Sequence, residues 1–298
     1  MTFNSKIFDV FLFNNELDLL EIRLNLLYEH VDYFILGESK KTFSELDKDL
    51  FYEKNKDTFE KFNDKIIHVV VPEPSEEDLV LCDRFYNLLG VRSYARDTFE
   101  KDYLKNKLNE LCSDEDIVLW SDLDEVPNPE VLKEIESFYN PNEVYNFAQD
   151  NFQGYLNWVE TTGLIRSQTA DFEYEDYPRW VGTKMCSYAI LKKYTLTQMR
   201  QELPKENNAR IYPGGWHWST VGGPEISTYE ERVIKKIKGA AHVEQNIPEI
   251  VDMVSHRIAN DLDPIGRTYA SYKTLEVDDF FPTYIVENKD KYSHLIKT

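Results

Sequence analysis

No stretch of the chain approaches the ~18 consecutive apolar residues that span a bilayer, so no transmembrane helix is expected. The opening residues, "MTFNSKIFDVFLFNNELD", lack the basic start and long apolar run of a secretory signal. A cytoplasmic protein without stable membrane insertion is expected. Cysteine is scarce: Cys82, Cys112 and Cys186 lie far apart with no metal-ligand spacing. An odd, sparse set argues against a disulfide framework and fits a reducing compartment. Basic residues are outnumbered 34 to 54, for a net charge of −20. Such a balance disfavours nucleic acid and anionic membranes as partners. Any anionic ligand must therefore be held by local features: a metal, a few arginines or backbone N–H groups. Linkers, low-complexity tracts and internal repeats are also lacking.

What the sequence does have is alternation. "IFDVFLF" (7–13), "VDYFILGE" (31–38), "IIHVVVP" (66–72) and "DIVLW" (116–120) predict buried strands. Helices are predicted over about 16–28, over 84–111, and from Asn128–Pro129 to about 138. Strands alternating with helices imply an α/β sheet that is at least partly parallel, with ligands beyond the carboxyl ends of the strands. From residue 144 the pattern shifts to shorter strands and turns rich in Tyr and Trp, including "TGLIRS" and "KMCSYAILKKY". Further helices are predicted at about 228–238, with Thr228 and Glu231 in capping-box spacing, and at about 248–259.

At 116–130, "DIVLWSDLDEVPNPE", an apolar strand runs directly into Asp122, Asp124 and Glu125. Clustered carboxylates repel one another and call for a positive charge. Two hard carboxylates two residues apart suit Mg²⁺ or Mn²⁺, which often bridge to substrate phosphates. A solvated acidic turn is the competing reading.

"SDLDEVP" (121–127) resembles the metal-binding motif of glycosyltransferase family 17. Four more stretches agree in order: "DVFLFNNELDLLEIRLNLL" (9–27), "VDYFILGESKKTF" (31–43), "GGWHWSTVGGPE" (214–225) and "IKGAAHVEQN" (237–246). The resemblance covers about residues 8–260. It implies a GT-A-like α/β fold, with a single Rossmann-like mixed sheet and flanking helices. One domain over 1–298 is expected, divided into a nucleotide-sugar half to about residue 126 and an acceptor half over about 127–298. The activity it implies is inverting, metal-dependent transfer of a sugar, N-acetylglucosamine first, from a UDP-sugar to a hydroxyl of a glycan or glycoconjugate. The chain departs from the family pattern at Ser44–Glu45, where a glycine is expected, and at Asp97, where Asn is common.

Site residues follow in the same terms. Asp122, Asp124 and His217 are the expected metal ligands, with His242 a rival for the imidazole. Glu38, Arg92, Arg96, Asp122, Trp216 and His217 are the expected nucleotide-sugar contacts. Arg forks grip phosphate bidentately, and a carboxylate such as Glu38 can accept from a ribose hydroxyl. Arg84 is read as part of a solvated basic face, and Trp216 and Trp218 could equally be core. An inverting transfer needs one general base: Glu225 first, Asp150 second. Two rival functions remain at this level. One is a haloacid-dehalogenase-like phosphatase using Asp122 and Asp124, with Asp122 as nucleophile. The other is a sugar-binding protein without catalysis, suggested by 19 Tyr and five Trp.

Overall fold

The computed structural model describes residues 5–86, 91–162, 170–171, 179–201, 207–223 and 227–298. Two sheets organise these residues. Their strands, in chain order, are β1 (Ile7–Leu12), β2 (Tyr33–Glu38), β3 (Ile66–Val70), β4 (Ile117–Trp120), β5 (Glu125–Pro127), β6 (Glu143–Phe147) and β7 (Gln149–Gln153). There follow β8 (Trp158–Thr162), β9 (Ala170–Asp171), β10 (Arg179–Trp180), β11 (Lys184–Ser187), β12 (Asn207–Ile211), β13 (Gly215–Ser219) and β14 (Ser271–Thr274). The first sheet has the order β12-β6-β11-β4-β1-β2-β3. Strands β4, β1, β2 and β3 run parallel, and β11 enters antiparallel between β4 and β6. This is the mixed α/β architecture expected, with a mixed sheet flanked by helices, but it is accompanied by a second sheet where a single one is expected.

Strand β1 lies inside the sheet, between β4 and β2, and is covered on both faces, which is why it reads as a nearly continuous apolar run. Its side chains alternate. Ile7 and Phe11 pack into one apolar cluster with Leu19, Leu20 and Leu24 of the helix Leu17–Leu27. Phe8 and Val10 pack into another with Leu104 and Leu108 of the helix Arg92–Leu111. Strand β4 divides likewise, Ile117 and Leu119 to the first cluster and Val118 and Trp120 to the second. Each of these large side chains, fully buried, contributes about 1.5–3 kcal/mol.

The helix expected over 84–111 is two helices, Glu76–Tyr86 and Arg92–Leu111. Val91, at φ −98° and ψ 85°, is not helical, so a new helix starts at Arg92. Ser75 and Asp78 cap the earlier one reciprocally, the Asp78 amide donating to Ser75 Oγ (3.2 Å) and the Ser75 amide to Asp78 Oδ2 (2.9 Å). Asn128 caps the next helix as predicted, accepting from the Glu130 amide at 3.0 Å, but that helix ends at Lys133 and a second runs Ile135–Phe138. The 248–259 prediction also divides, into Pro248–Val251 and Val254–Ala259. "KMCSYAILKKY" supplies β11 and then a helical turn, Tyr188–Leu191. Most of "TGLIRS", the Arg84 side chain and Glu225 lie outside the described residues.

The aromatic-rich second half builds its own sheet, β14-β8-β7-β10-β9, with β13 between β7 and β5. The acidic segment is one of the links between the two sheets: β4 ends at Trp120 and β5 begins at Glu125. Gly215 opens β13 at φ +120°, where a Cβ would lie 2.2 Å from the Val126 carbonyl oxygen. Only glycine fits that approach of β13 to β5.

Candidate active site

The acidic turn is built on a buried arginine. Arg23 Nε and Nη2 donate to Asp9 Oδ2 (2.9 Å) and Oδ1 (2.6 Å), and both side chains are fully buried. Nη2 also donates to Ser121 Oγ (2.7 Å), and Nη1 reaches the carbonyls of Asp122 (3.0 Å), Leu123 (3.0 Å) and Glu125 (3.1 Å). One guanidinium therefore fixes the backbone of the turn that carries all three carboxylates. Removing it would leave Asp9 buried without its counter-charge and strand three carbonyls. Arg23→Met is expected to cost about 3–5 kcal/mol, read as a lower denaturant midpoint. A loss under ~1 kcal/mol would show that the turn holds its shape without the arginine.

The carboxylates of this turn are met by side-chain cations. Arg200, on the helix Leu196–Gln201, donates through Nη1 to Glu125 Oε2 (2.5 Å) and through Nη2 to Oε1, and it also pairs with Asp122 Oδ2 (2.7 Å). Glu125 is fully buried, yet Arg200 outweighs its burial and holds the carboxyl below the usual range. Trp180 Nε1 donates to Glu125 Oε1 (2.6 Å) and the Asp122 amide to Oε2 (2.9 Å). The pocket around Glu125 is tight enough that a Cβ on Gly182 would fall 2.1 Å from its Cδ. Lys101 lies between Asp97 (2.9 Å) and Asp122 (3.7 Å). Burial disfavours its ammonium, but Asp122 and Asp97 outweigh that and raise its pKa.

Asp124 is arranged differently. Its Oδ2 faces His217 Nε2 at 3.7 Å and Lys236 Nζ at 3.5 Å. Burial opposes its ionisation, but Lys236 and His217 prevail and bring the carboxyl down to about 2. His217 arrives from β13, where alternation sends Trp216 and Trp218 to the opposite face. Those two indoles stack on each other in the apolar core, at 5.6 Å and 6°. Trp216 is thus core, 8% exposed, and not positioned to stack on a sugar.

The tautomer of His217 follows from its neighbours. Asn151 Nδ2 donates to Glu160 Oε2 (2.5 Å), so Asn151 Oδ1 is an acceptor. It lies 2.8 Å from His217 Nδ1, which therefore carries the proton. In the neutral ring the lone pair is then on Nε2, facing Asp124, as a metal-ligating imidazole requires; with that nitrogen protonated it is instead the donor that helps hold Asp124 ionised. Trp180 stacks on the ring at 4.6 Å and 22° and holds its plane. Asp124, Glu125 and His217 each bring one ligand atom within 4.8 Å of the others. Glu125 is the member the sequence reading left out of the ligand set. Asp122 is expected among the ligands, but Arg200 and Lys101 engage its carboxylate. Glu125 is engaged still more closely, by Arg200, Trp180 and the Asp122 amide, which leaves Asp124 and His217 as the two members not locked by a close ion pair.

The other predicted residues lie elsewhere or are already engaged. Arg96 is buried and pairs with Glu73, near Glu100 (3.8 Å) and Glu45 (3.6 Å). Arg92 is bound by Glu76 (2.7 Å) and Glu45 (3.1 Å). Glu38 is fully buried, accepting from the Tyr52 amide (3.0 Å) and lying 3.2 Å from His68 Nε2. Glu100, behind the end of β2, accepts from Ser39 Oγ (2.8 Å), and burial pushes its carboxyl up to about 7. His242 joins Tyr94 (2.6 Å) and Glu244 (2.7 Å) on the exposed side of the fold. Asp150 stands opposite Trp216 in the β7–β13 register, hence on the face away from His217 and Asn151.

The α/β frame and the carboxylates beyond β4 fit a glycosyltransferase, and comparison with protein-family models gives that class. The match is to Glycosyltransferase family 17, over residues 1–160, more than half of the chain. The chain belongs to this family, and glycosyl transfer between a sugar donor and an acceptor is the activity that goes with it. The matched region contains Arg23 and Asp122 to Glu125, whereas "GGWHWS" and "IKGAAHVEQN" lie beyond it. No curated protein matches the chain. No described helix is long and apolar enough to cross a membrane.

Proposed function

We propose that the chain transfers a sugar, N-acetylglucosamine first, from a UDP donor to a glycan hydroxyl with inversion at the anomeric carbon, assisted by Mn²⁺ or Mg²⁺. The observation that carries the metal part is the pairing of Asp124 Oδ2 with a His217 Nε2 whose lone pair faces it at 3.7 Å. Two ligand atoms so spaced can both lie about 2.1 Å from one ion. Asp124 and His217 would hold it, with Glu125 behind them. When bound, the ion supplies positive charge beside the leaving diphosphate.

The chain's own residues supply the rest. Arg200 keeps Glu125 ionised, Arg200 and Lys101 hold Asp122 in place, and Arg23 keeps the turn rigid, so little reorganisation is needed as charge develops. The nucleotide half would extend to about residue 126 in a GT-A-like arrangement. The donor would sit beyond the carboxyl ends of β1, β2 and β4, near Glu38, Arg92 and Arg96. For the two arginines to grip phosphate, they would have to exchange Glu45, Glu73 and Glu76 for it. Glu225 is the proposed base.

The test is a thermal-shift screen of nucleotide sugars with Mn²⁺, followed by mass spectrometry and NMR of the product. Stabilisation by UDP-N-acetylglucosamine and a β-linked product are expected. An α-linked product from a UDP-α-sugar would refute inversion, and stabilisation by a guanine nucleotide sugar alone would refute the donor.

A further inference from the structure

Among the described residues, Arg23, Arg200, Lys101 and Lys236 contact the acidic turn directly, and the first three are locked. Arg23 is fully buried on Asp9 and four acceptors of the turn. Arg200 spans Glu125 and Asp122 with its side chain 11% exposed. Lys101 is 10% exposed between Asp97 and Asp122. Lys236 differs in each respect. Its side chain is 47% exposed, and it meets a single carboxylate oxygen at 3.5 Å and one hydroxyl, Ser219 Oγ, at 3.1 Å. It sits near the end of the helix Tyr229–Gly239, whose start is fixed by the Thr228–Glu231 capping box. The base of the side chain is therefore held while its four-carbon stem can swing.

The oxygen that Lys236 meets is Asp124 Oδ2, the same atom that His217 Nε2 faces. The ammonium thus stands beside the oxygen that a divalent ion on Asp124 and His217 would take. Two positive charges cannot share that oxygen without strong repulsion. An incoming diphosphate, by contrast, brings negative charge that an ammonium released from Asp124 can meet.

We propose that Lys236 is an exchangeable counter-ion. It neutralises Asp124 before the metal binds, yields to the metal, and then turns its ammonium to the diphosphate of the donor. This inference rests on the metal-dependent reading given above. It makes Lys236 an opponent of metal binding and a contributor to nucleotide binding, two effects of opposite sign on one side chain.

Those signs set the test. Mn²⁺ binding to the full chain without nucleotide can be followed by the paramagnetic resonance of free Mn²⁺. UDP binding in saturating Mn²⁺ can be followed by calorimetry. Lys236→Met should bind Mn²⁺ about fivefold more tightly and UDP about fivefold more weakly, the size expected of one half-exposed ion pair. Lys236→Arg should recover UDP binding. Because the side chain lies on an exposed helix face, both variants should melt with the wild type. Unchanged or weaker Mn²⁺ binding in Lys236→Met would overturn the exchange, since a merely structural lysine would weaken both ligands together. Wild-type protein that takes up neither Mn²⁺ nor UDP would instead discard the metal-dependent reading, and the exchange with it.

Discussion

Asp124→Asn should keep the fold and lose metal-dependent UDP binding. The asparagine keeps the shape and one oxygen, but it removes the charge that Lys236 and His217 hold ionised to about pH 2. Its contacts with these two are single and long, at 3.5 and 3.7 Å. Folding should therefore change by no more than about 2–3 kcal/mol, the size that a carboxyl brought down to about 2 implies. The rigid parts of the turn, Arg23 and the Glu125–Arg200 pair, do not depend on the Asp124 side chain. Losing a carboxylate contact to a cation in a partly buried site costs about 3 kcal/mol, which is on the order of 100-fold in affinity. Calorimetry of UDP binding in Mn²⁺ should show that loss. The same titration in EDTA should give wild-type and mutant equal, weak binding. UDP affinity unchanged by either the substitution or EDTA would remove the metal from the proposed mechanism.

Strands β1, β2 and β4 were legible because buried parallel strands must be continuous apolar runs; β3, read as buried on the same ground, is a half-buried edge strand with Val70 exposed. The position of the turn at the mouth of the sheet followed from that alone. The helix break before Arg92 was not legible, because Val91 is compatible with either helix or coil and only its backbone angles decide. Arg23 left a signal that the sequence reading did not use. It sits three residues after Leu20 and four after Leu19, on the buried face of an otherwise apolar helix, while Asp9 interrupts an apolar strand. Two buried charges of opposite sign in adjacent elements call for each other. Arg200 left no such signal: it is 75 residues from Glu125 in sequence, and only the fold brings them together. For the same reason Arg92 and Arg96 were natural phosphate candidates. Nothing in their spacing reveals that Glu45, Glu73 and Glu76 reach them first.

The positive charge that the acidic turn calls for therefore has two sources on different footings. Arg200 and Lys101 answer Asp122 and Glu125 permanently, and they do so from buried positions where an unpaired carboxylate would be costly. Asp124 alone is answered by a solvent-exposed side chain at long range. The arrangement separates carboxylates that shape the site from the one carboxylate whose counter-charge can change, and the metal proposal concerns only the second kind.

The larger kinetic effect is expected at Glu225. In the inverting transfer proposed, an acceptor hydroxyl attacking the anomeric carbon would lose its proton to a base on the side opposite the leaving diphosphate. Glu225 follows β13, the strand that delivers His217, after Gly222 and Gly223. Gly222 has φ +77°, so the chain there takes a turn that other residues rarely adopt. Glu225→Gln preserves size and hydrogen-bonding shape but cannot accept the proton. Turnover should fall by roughly 10²–10⁴-fold, with UDP affinity in Mn²⁺ unchanged because the base touches only the acceptor. Asp150→Asn is the matched control. Asp150 lies on the face of β7 away from His217, so its replacement should leave turnover within a fewfold of wild type. If Glu225→Gln kept near-full turnover while Asp150→Asn lost it, the acceptor would have to approach from the Trp216 face, and the base assignment would pass to Asp150.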